Sequence, residues 1–292
     1  MALQILYYFL VLKITVLGSS GSEGIPQPFC KCRLCRNATG KDIRLRSSYL
    51  ITLKDSTSIL LDASPDWRQQ ALKYNVDFDF LFLSHRHFDH TQGLEEIRQD
   101  FNTWKRSRKP KEKRRIFLIG KKLHAWLYNA PANSRWKEST QQAYQQLIKN
   151  DFFQPKTLIP YQPFFINKNL TVTLVRGKHG GCDCNGLLIA TEGKTVVYLA
   201  DIAFINGKLN SLMKSRPPNL IIAHAPFFYV PKEAFELTRH LGVEQAKKFP
   251  GKKILLSHFS HRAKMTHQEM VKRAKEIDPR LLIAYDGQTI EI

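Results

Sequence analysis

The chain has 292 residues, 43% of them hydrophobic and 24% charged, and its formal net charge at pH 7 is +20. This composition excludes an intrinsically disordered chain and a low-complexity fibre, and the length suits one large α/β domain or two smaller ones. The charge favours polyanionic or phosphorylated partners, although a generally basic proteome explains it equally well.

The N-terminal segment MALQILYYFLVL is apolar. It lacks a preceding basic region and is too short to span a bilayer. The residues after it, KITVLGSSGSEG, predict a β-strand that enters a glycine-rich turn, and removal of a leader at this point would destroy that strand. We therefore interpret residues 1–11 as an extension or a misassigned start, and residues 12–292 as a single domain without a membrane anchor.

Short apolar runs rich in β-branched and aromatic residues predict strands along the whole chain. In chain order they are residues 13–17, 48–53, 58–63, 80–83, 116–120, 170–175, 186–191, 195–200, 220–225, 253–258 and 281–286. Helical patterns lie between them at residues 93–104, 140–150, 243–249 and 267–277. No repeat or low-complexity linker separates the two strand-rich halves. The pattern predicts a layered α/β fold.

The five cysteines are Cys30, Cys32, Cys35, Cys182 and Cys184. Their odd number and tight spacing argue against a secreted disulfide framework and favour reduced, metal-binding thiolates. A cytoplasmic location is the default expectation from this cysteine usage. The C-x-C-x-x-C group at residues 30–35 provides three ligands of a tetrahedral zinc site, so that a fourth ligand must come from elsewhere in the chain.

Residues 105–115, KRSRKPKEKRR, contain eight Lys or Arg residues and one Glu. A solvated surface loop explains such a run most simply. A nucleic-acid or phosphate-binding arm is the functional alternative. Trp104 is the aromatic residue nearby that could stack on a base, and this scarcity favours the solvated loop.

The densest chemical pattern is FLSHRHFDHTQG at residues 82–93. His85, His87, Asp89 and His90 follow a predicted buried strand with the spacing H-x-H-x-D-H. Alternate residues of an extended segment face one way, so His85 and His87 can converge on one ion, while Asp89 and His90 are free to reach another. Imidazole and carboxylate ligands suit zinc, manganese or iron.

This motif resembles that of the metallo-β-lactamase superfamily, and the resemblance extends from about residue 13 to the C-terminus. It implies an αββα sandwich of two mixed β-sheets flanked by helices, with one or two metals at its rim. It also implies further metal ligands at His179, Asp201 and His258, and an aspartate at Asp62 that orients a ligand histidine. His179 has rivals in Cys182 and Cys184.

In full, the resemblance implies that one metal is held by His85, His87 and His179, that the other is held by Asp89, His90 and His258, and that Asp201 bridges both. Two such metals, zinc or manganese, would supply a hydroxide that attacks phosphorus.

The glycine-rich turn followed by the cysteine group resembles the PhnP-type phosphodiesterases. That resemblance implies a structural zinc at Cys30, Cys32 and Cys35, with His261 as fourth ligand. It also implies that His240 acts with Asp89 in catalysis, by contacting the substrate phosphate. The implied reaction is hydrolysis of a small or cyclic phosphodiester, of the phosphoribosyl cyclic phosphate or 2′,3′-cyclic nucleotide type. His224 is a further candidate for the role of His240.

Two other functions stay open at this point. A nuclease similar to ribonuclease Z fits the net charge and the basic segment, but the cysteine group is not typical of it. A non-enzymatic accessory protein similar to PqqB shares the glycine- and cysteine-rich start, but His85 and His87 favour hydrolysis. Thioester or lactam hydrolysis and the formation of a homodimer also remain open.

Overall fold

Two β-sheets form the centre of the protein. The computed structural model describes residues 12–99, 115–129, 135–179, 182–230 and 240–292. The strands are β1 Leu12–Gly18, β2 Ser48–Leu53, β3 Ser58–Leu61, β4 Phe80–Leu83, β5 Arg115–Gly120, β6 Phe153–Leu158, β7 Pro163–Asn167, β8 Leu170–His179, β9 Cys182–Thr191, β10 Lys194–Tyr198, β11 Phe204–Ile205, β12 Leu220–His224, β13 Ile254–Ser257, β14 Leu281–Ile283 and β15 Thr289–Glu291.

Both sheets mix parallel and antiparallel pairs. The first has seven strands in the order β15-β1-β2-β3-β4-β5-β6, and the second has eight, in the order β11-β8-β9-β10-β12-β13-β14 with β7 paired to β8. Strands β3 to β6 are parallel, as are β10, β12, β13 and β14. Because parallel strands end at the same edge of a sheet, the residues that follow them are brought together there.

The two faces of the first sheet are buried against different partners. Phe82 of β4 packs into a cluster that includes residues of the second sheet, whereas its neighbours Leu81 and Leu83 pack into a cluster with the helices on the outer face. This is the alternation expected of a strand covered on both sides. Helix residues Met270 and Ala274 close the opposite side of the shared core.

The described helices are Arg33–Asn37, Trp67–Tyr74, Phe88–Thr91, residues 93–99, Lys121–Asn129, Arg135–Lys149, Gly207–Ser215, Val243–Ala246 and His267–Ile277. They flank the sheets, so the predicted αββα arrangement of two mixed sheets is confirmed. Among them, none is long and apolar enough to cross a membrane.

Most of the observed strands were predicted from the pattern of apolar residues in the sequence. Every predicted strand coincides with an observed one, and the helix predicted at 267–277 has those limits. Strands β6, β7, β11 and β15 were not predicted. The prediction for residues 1–11 lies outside the described residues, as does most of the basic segment. Arg115, the last residue of that segment, belongs to β5, where it is buried and its Nη2 lies 2.6 Å from Oδ1 of Asp77.

Candidate metal centre

The strand ends place the predicted ligands side by side. His85 follows β4, His179 ends β8, Asp201 follows β10 and His258 follows β13. Asp62 and His258 have left-handed backbone, with φ of 61° and 65°. The chain therefore turns sharply where these strands end, which directs the side chains into the space between the sheets.

The turn of the central motif depends on a close backbone contact. Helix Phe88–Thr91 carries Asp89 and His90 and is separated from Gly93 by its C-cap residue Gln92. A Cβ atom at Gly93 would lie 2.2 Å from the carbonyl oxygen of Ser64. Only glycine fits this position without a shift of the backbone, so the glycine of the motif keeps the turn packed against the loop after β3.

The first group of potential ligands is His85, His87, His179 and Asp201, whose ligand atoms lie within 4.8 Å of one another. Nε2 of His85 is 2.9 Å from Nδ1 of His87 and 3.6 Å from Oδ2 of Asp201. Nε2 of His179 is 3.5 Å from the same oxygen. Ligands at about 2.0–2.1 Å from one tetrahedral ion lie roughly 3.3 Å apart, so these spacings fit a divalent metal.

The second group is His90, Asp201, His224 and His258, whose ligand atoms lie within 4.8 Å of one another, and the predicted ligand Asp89 lies beside it. Oδ2 of Asp89 lies 3.5 Å from Nε2 of His90 and 3.6 Å from Nε2 of His258. Nε2 of His90 is buried and has no hydrogen-bond partner among the described residues. A buried nitrogen in that state, surrounded by carboxylates and another imidazole, suits a metal ligand.

Asp201 lies between the two groups. Its Oδ2 lies 3.6 Å from Nε2 of His85, 3.5 Å from that of His179 and 3.7 Å from that of His90, and its Oδ1 is 3.5 Å from Nε2 of His258. The side chain is almost fully buried. One carboxylate thus faces the histidines of both groups, which is the geometry needed to share it between two cations.

His224 was a further candidate for the role of His240, and both of its ring nitrogens have partners. Nδ1 lies 2.7 Å from Oδ1 of Asp201, and Nε2 lies 3.0 Å from the hydroxyl oxygen of Tyr49. The ring is fully buried and stacks on that of His258, with centroids 4.4 Å apart and planes within 6°. His224 is therefore placed to hold Asp201 rather than to meet a substrate.

Asp62 is placed against His90, as the resemblance implies. Its Oδ2 accepts hydrogen bonds from the Tyr198 hydroxyl at 2.5 Å and the Ser84 hydroxyl at 2.7 Å, and it lies 2.7 Å from Nδ1 of His90. Its Oδ1 accepts the backbone N–H of Ser84 at 2.7 Å. A histidine whose Nδ1 is bound in this way presents Nε2 to the centre.

Burial and the nearby carboxylates shift the pKa values of the groups in the site in different directions. Burial lowers the pKa of His85 well below its usual value and that of His87 to about 4, so these imidazoles are neutral at pH 7 and able to bind a metal. Burial also raises the pKa of Asp89 to about 6. For His90, burial acts in the opposite direction to the nearby carboxylates of Asp89 and Asp62, which raise its pKa well above the usual value.

His240 reaches the centre from the opposite side. Its ring centroid lies 4.5 Å from that of His179 and 6.4 Å from that of His258. Burial lowers its pKa to about 4. Its Nδ1 is buried and has no hydrogen-bond partner among the described residues. The ring therefore offers an unused polar atom at the rim of the centre.

The four residues predicted to form a separate zinc site also meet. Cys30, Cys32, Cys35 and His261 have ligand atoms within 4.8 Å of one another. Nδ1 of His261 lies 3.3 Å from the Cys30 sulfur and 3.7 Å from the Cys32 sulfur. The Cys35 backbone N–H, followed by His261, lowers the pKa of Cys32 to about 6, which favours a thiolate. Because Cys32 caps helix Arg33–Asn37, Cys35 comes one turn later on the same side.

The remaining cysteines lie apart from that zinc group. Cys184 is fully buried in the core. Cys182 lies beside the first ligand group, with its sulfur 3.7 Å from Nε2 of His87 and 3.3 Å from Nε of Arg86. In the β8–β9 hairpin Cys182 pairs with His179. Cys182, which was considered as an alternative metal ligand to His179, therefore does lie close to it. Of these two residues, His179 belongs to the ligand group.

Comparison with known proteins identifies similar sequences. A family model described as the Beta-lactamase superfamily domain matches residues 57–284. An octanoyltransferase of Porphyromonas gingivalis is 44% identical over 88 residues, which are 30% of this chain and 18% of that protein. A coenzyme PQQ synthesis protein B of Methylorubrum extorquens is 30% identical over 103 residues, which are 30% of this chain and 34% of that protein. The chain thus spans well under half the length of these relatives.

Solved structures resemble the fold over almost its whole length. A diphosphatase of the PhnP family has a TM-score of 0.72 at 21% identity, covering 97% of this chain and 98% of that one. Zinc-bound PqqB of Methylobacterium extorquens has a TM-score of 0.71 at 16% identity, covering 96% and 100%. The short form of human tRNase Z has a TM-score of 0.65 at 15% identity, covering 95% and 98%. At these identities the similarity establishes the fold.

Proposed function

The chain belongs to the metallo-β-lactamase superfamily, and on this premise we propose that it is a metal-dependent phosphodiesterase acting on small or cyclic phosphodiesters. The family and the fold support a hydrolase in general. The observation that carries the proposal is the position of Asp201, whose buried carboxylate faces the histidines of both groups. A shared carboxylate suits a pair of divalent cations about 3.5–4 Å apart, as used in phosphodiester hydrolysis.

The residues present fit zinc or manganese. One cation would be held by His85, His87 and His179, the other by Asp89, His90 and His258, with Asp201 contributing to both. When bound, the two cations supply a hydroxide nucleophile at neutral pH and neutralise charge on the phosphoryl oxygens. A structural zinc at Cys30, Cys32, Cys35 and His261 would join the N-terminal loop to the segment after β13.

His240 supplies a polar contact to the substrate in this proposal. Its Nδ1 is buried, has no hydrogen-bond partner within the described part of the chain, and lies beside the two ligand groups without belonging to either of them. Hydrogen bonds to oxygens on which charge develops accelerate hydrolysis, most strongly where water is excluded. The ring would hold a phosphoryl oxygen or the leaving oxygen, while Asp62 and Ser84 keep the ligand histidines in position.

The proposed substrates are a phosphoribosyl cyclic phosphate or a 2′,3′-cyclic nucleotide. The cysteine group and His261 support a PhnP-type enzyme, because they form one cluster beside the segment that carries His258. The similarity to the PhnP-family diphosphatase over 97% of the chain supports the same choice. A small molecule is preferred to a macromolecule, because the cluster of Cys30, Cys32, Cys35 and His261 is not typical of nucleases similar to ribonuclease Z.

Two observations favour other functions on the same fold. The net charge of +20 and the similarity to human tRNase Z favour a nuclease acting on RNA. The match to coenzyme PQQ synthesis protein B favours an accessory protein. The second alternative predicts no turnover of any phosphodiester, and the first predicts steeply salt-dependent RNA binding.

The test uses purified protein loaded with Mn²⁺ or Zn²⁺. Opening of adenosine 2′,3′-cyclic phosphate is measured beside cleavage of a precursor tRNA at the same salt concentration, with His85→Ala as the control. We expect cyclic-nucleotide hydrolysis in the wild type, none in His85→Ala, and no cleavage of tRNA. Cleavage of tRNA alone would replace the proposal with the nuclease, and equal activity in His85→Ala would refute the metal mechanism.

A further inference from the structure

A cavity of about 400 Å³ adjoins the metal centre. Cys182 and Arg86 line it, and the Cys182 sulfur lies 3.7 Å from Nε2 of His87. Arg86 stands between His85 and His87 in the chain, and its Nε donates to the Cys182 sulfur at 3.3 Å. A substrate whose phosphodiester lies at the centre would therefore extend directly into this cavity.

Positive charge dominates the walls of the cavity. Arg86, Lys121, Lys122 and Arg176 line it, together with one acidic residue, Asp183. Nζ of Lys122 lies 2.5 Å from Oδ2 of Asp183, so this carboxylate is already paired. The charges of the other three cations are uncompensated within the lining. Guanidinium and ammonium groups in such an arrangement recognise phosphoryl oxygens.

An aromatic side chain shares the cavity with these cations. Trp126, on helix Lys121–Asn129, is half-buried and lines the same space. The volume is larger than a phosphoryl group needs and falls within the range of small-molecule sites, roughly 300–1,000 Å³. Bases stack on indole rings with little regard to sequence. Cations beside an indole therefore favour a nucleotide over a sugar phosphate without a base.

Asn185, which also lines the cavity, connects its lining to strands of both sheets. Nδ2 of Asn185 donates to the carbonyl oxygen of Ser84 at 3.0 Å, which joins β9 to the end of β4. A Cβ atom at Gly120 would lie 3.1 Å from the same Nδ2, so β5 passes close by. In the β8–β9 hairpin Arg176 pairs with Asn185, three residues from His179, or about 10 Å along the strand.

We infer that this cavity binds the nucleoside and 5′-phosphoryl group of a nucleoside 2′,3′-cyclic phosphate. The inference rests on the proposed function, which places the scissile phosphodiester at the metal centre. Arg86, Lys121 and Arg176 then contact the 5′-phosphoryl group, and Trp126 contacts the base. The substrate class is a mononucleotide that carries a 2′,3′-cyclic phosphate and a 5′-phosphate.

The test compares three substrates of the metal-loaded protein. They are adenosine 2′,3′-cyclic phosphate, the same compound with a 5′-phosphate, and ribose 5-phosphate 1,2-cyclic phosphate, which has no base. We expect kcat/KM to be about tenfold higher for the 5′-phosphorylated nucleotide than for either of the others. One charge-assisted hydrogen bond to the bound substrate accounts for a difference of this size. Equal values for all three would overturn the inference.

Two variants test whether the cations of the cavity cause the preference for the 5′-phosphorylated nucleotide. Combined replacement Lys121→Ala and Arg176→Ala should bring the ratio between the 5′-phosphorylated and unphosphorylated nucleotides close to one. Lys272→Ala removes a cation from helix His267–Ile277 that does not line the cavity, and should leave the ratio unchanged. A ratio that survives the double replacement, or that falls equally in Lys272→Ala, would overturn the assignment.

Failure of the proposed function is recognised separately. Bis(p-nitrophenyl) phosphate carries no second phosphoryl group, so its hydrolysis tests the phosphodiesterase alone. If no phosphodiester is hydrolysed, calorimetric titration with adenosine 3′,5′-bisphosphate and adenosine 3′-phosphate still tests the cavity. We expect about tenfold tighter binding of the bisphosphate in the wild type and equal binding in the double variant. Equal binding in the wild type would overturn the inference.

Discussion

Hydrogen bonds to the second ring nitrogen orient the histidines of the centre. Nδ1 of His85 lies 3.0 Å from the Ser84 hydroxyl, and Nδ1 of His258 lies 3.1 Å from the Ser47 hydroxyl. Each bond leaves Nε2 directed at the shared carboxylate of Asp201. Ser47 and His258 are 211 positions apart in the chain, so no local pattern identifies this partner.

His240→Ala should lower kcat for a 2′,3′-cyclic nucleotide by roughly 10²–10⁴-fold, because a positioned hydrogen-bonding or proton-donating group is lost. The residue is outside both ligand groups, so the metal content should stay at the wild-type value. Steady-state kinetics and metal analysis of the same preparation test both points. An unchanged kcat would remove His240 from the reaction.

His224 provides a test of how Asp201 is held. His224→Leu removes the contact between Nδ1 and Asp201 and should weaken zinc binding about 10–100-fold. His224→Asn places an amide N–H near the former Nδ1 and should retain most of the affinity. Competition with a chromophoric chelator measures both variants. Zinc binding by His224→Leu at wild-type strength would show that Asp201 needs no such support.

At the scale of elements, short turns decide where ligands point. The five-residue helix Arg33–Asn37 has its N-cap at Cys32, whose sulfur accepts the backbone N–H of Cys35 at 3.4 Å. The helix turn brings these two thiols to one side, where His261 meets them from the 3₁₀ turn His261–Ala263. The N-terminal loop is thus joined to the far end of the chain.

Cys32→Ser should lower the Tm by roughly 5–10 °C, since one ligand of a structural zinc contributes several kcal/mol in a chain of this size. The phosphodiesterase activity at low temperature should change much less, because the residue is not part of either histidine group. Differential scanning calorimetry with zinc analysis tests this prediction. A variant with full zinc content and an unchanged Tm would contradict it.

The helices differ in how strongly local sequence signals predict their limits. His267–Ile277 is amphipathic and begins with a capping box, in which the Thr266 side chain accepts from Glu269 N and the Glu269 side chain accepts from the Thr266 backbone. Those signals are local, so its limits are predictable. Trp67–Tyr74 buries only Trp67 and Gln70, and its weak periodicity left it unpredicted.

At the scale of the whole molecule, the two sheets share one apolar core and meet at the edge that carries the site. Buried carboxylates of Asp62, Asp89 and Asp201 lie among buried histidines there. Each such group costs folding energy unless it is paired or bound to a cation. The stability of the fold should therefore depend on its metals.

Removal of the metals with EDTA should lower the Tm and abolish hydrolysis, and added Zn²⁺ should restore both, because a ligand that binds only the folded state stabilises it. At a free concentration of about 100 times the Kd the stabilisation is roughly 2.7 kcal/mol for each site. Thermal unfolding at several Zn²⁺ concentrations measures this effect. A Tm independent of chelator and of zinc would refute metal binding by the folded protein.

The sequence by itself determined the family and the residue types of the site. The spacing H-x-H-x-D-H and the strand-like runs are local, and the αββα fold that they indicated is confirmed. The family resemblance that this spacing supports also implied Asp201 and His258, which lie just beyond the ends of β10 and β13.

Only the tertiary structure decided which groups meet across the chain. It placed His224 against Asp201 and Tyr49, and it placed Cys182 beside His87. It also assembled the basic cavity from separate strand ends and a helix. These contacts depend on side-chain packing between the two sheets, which the periodicity of a single segment does not encode.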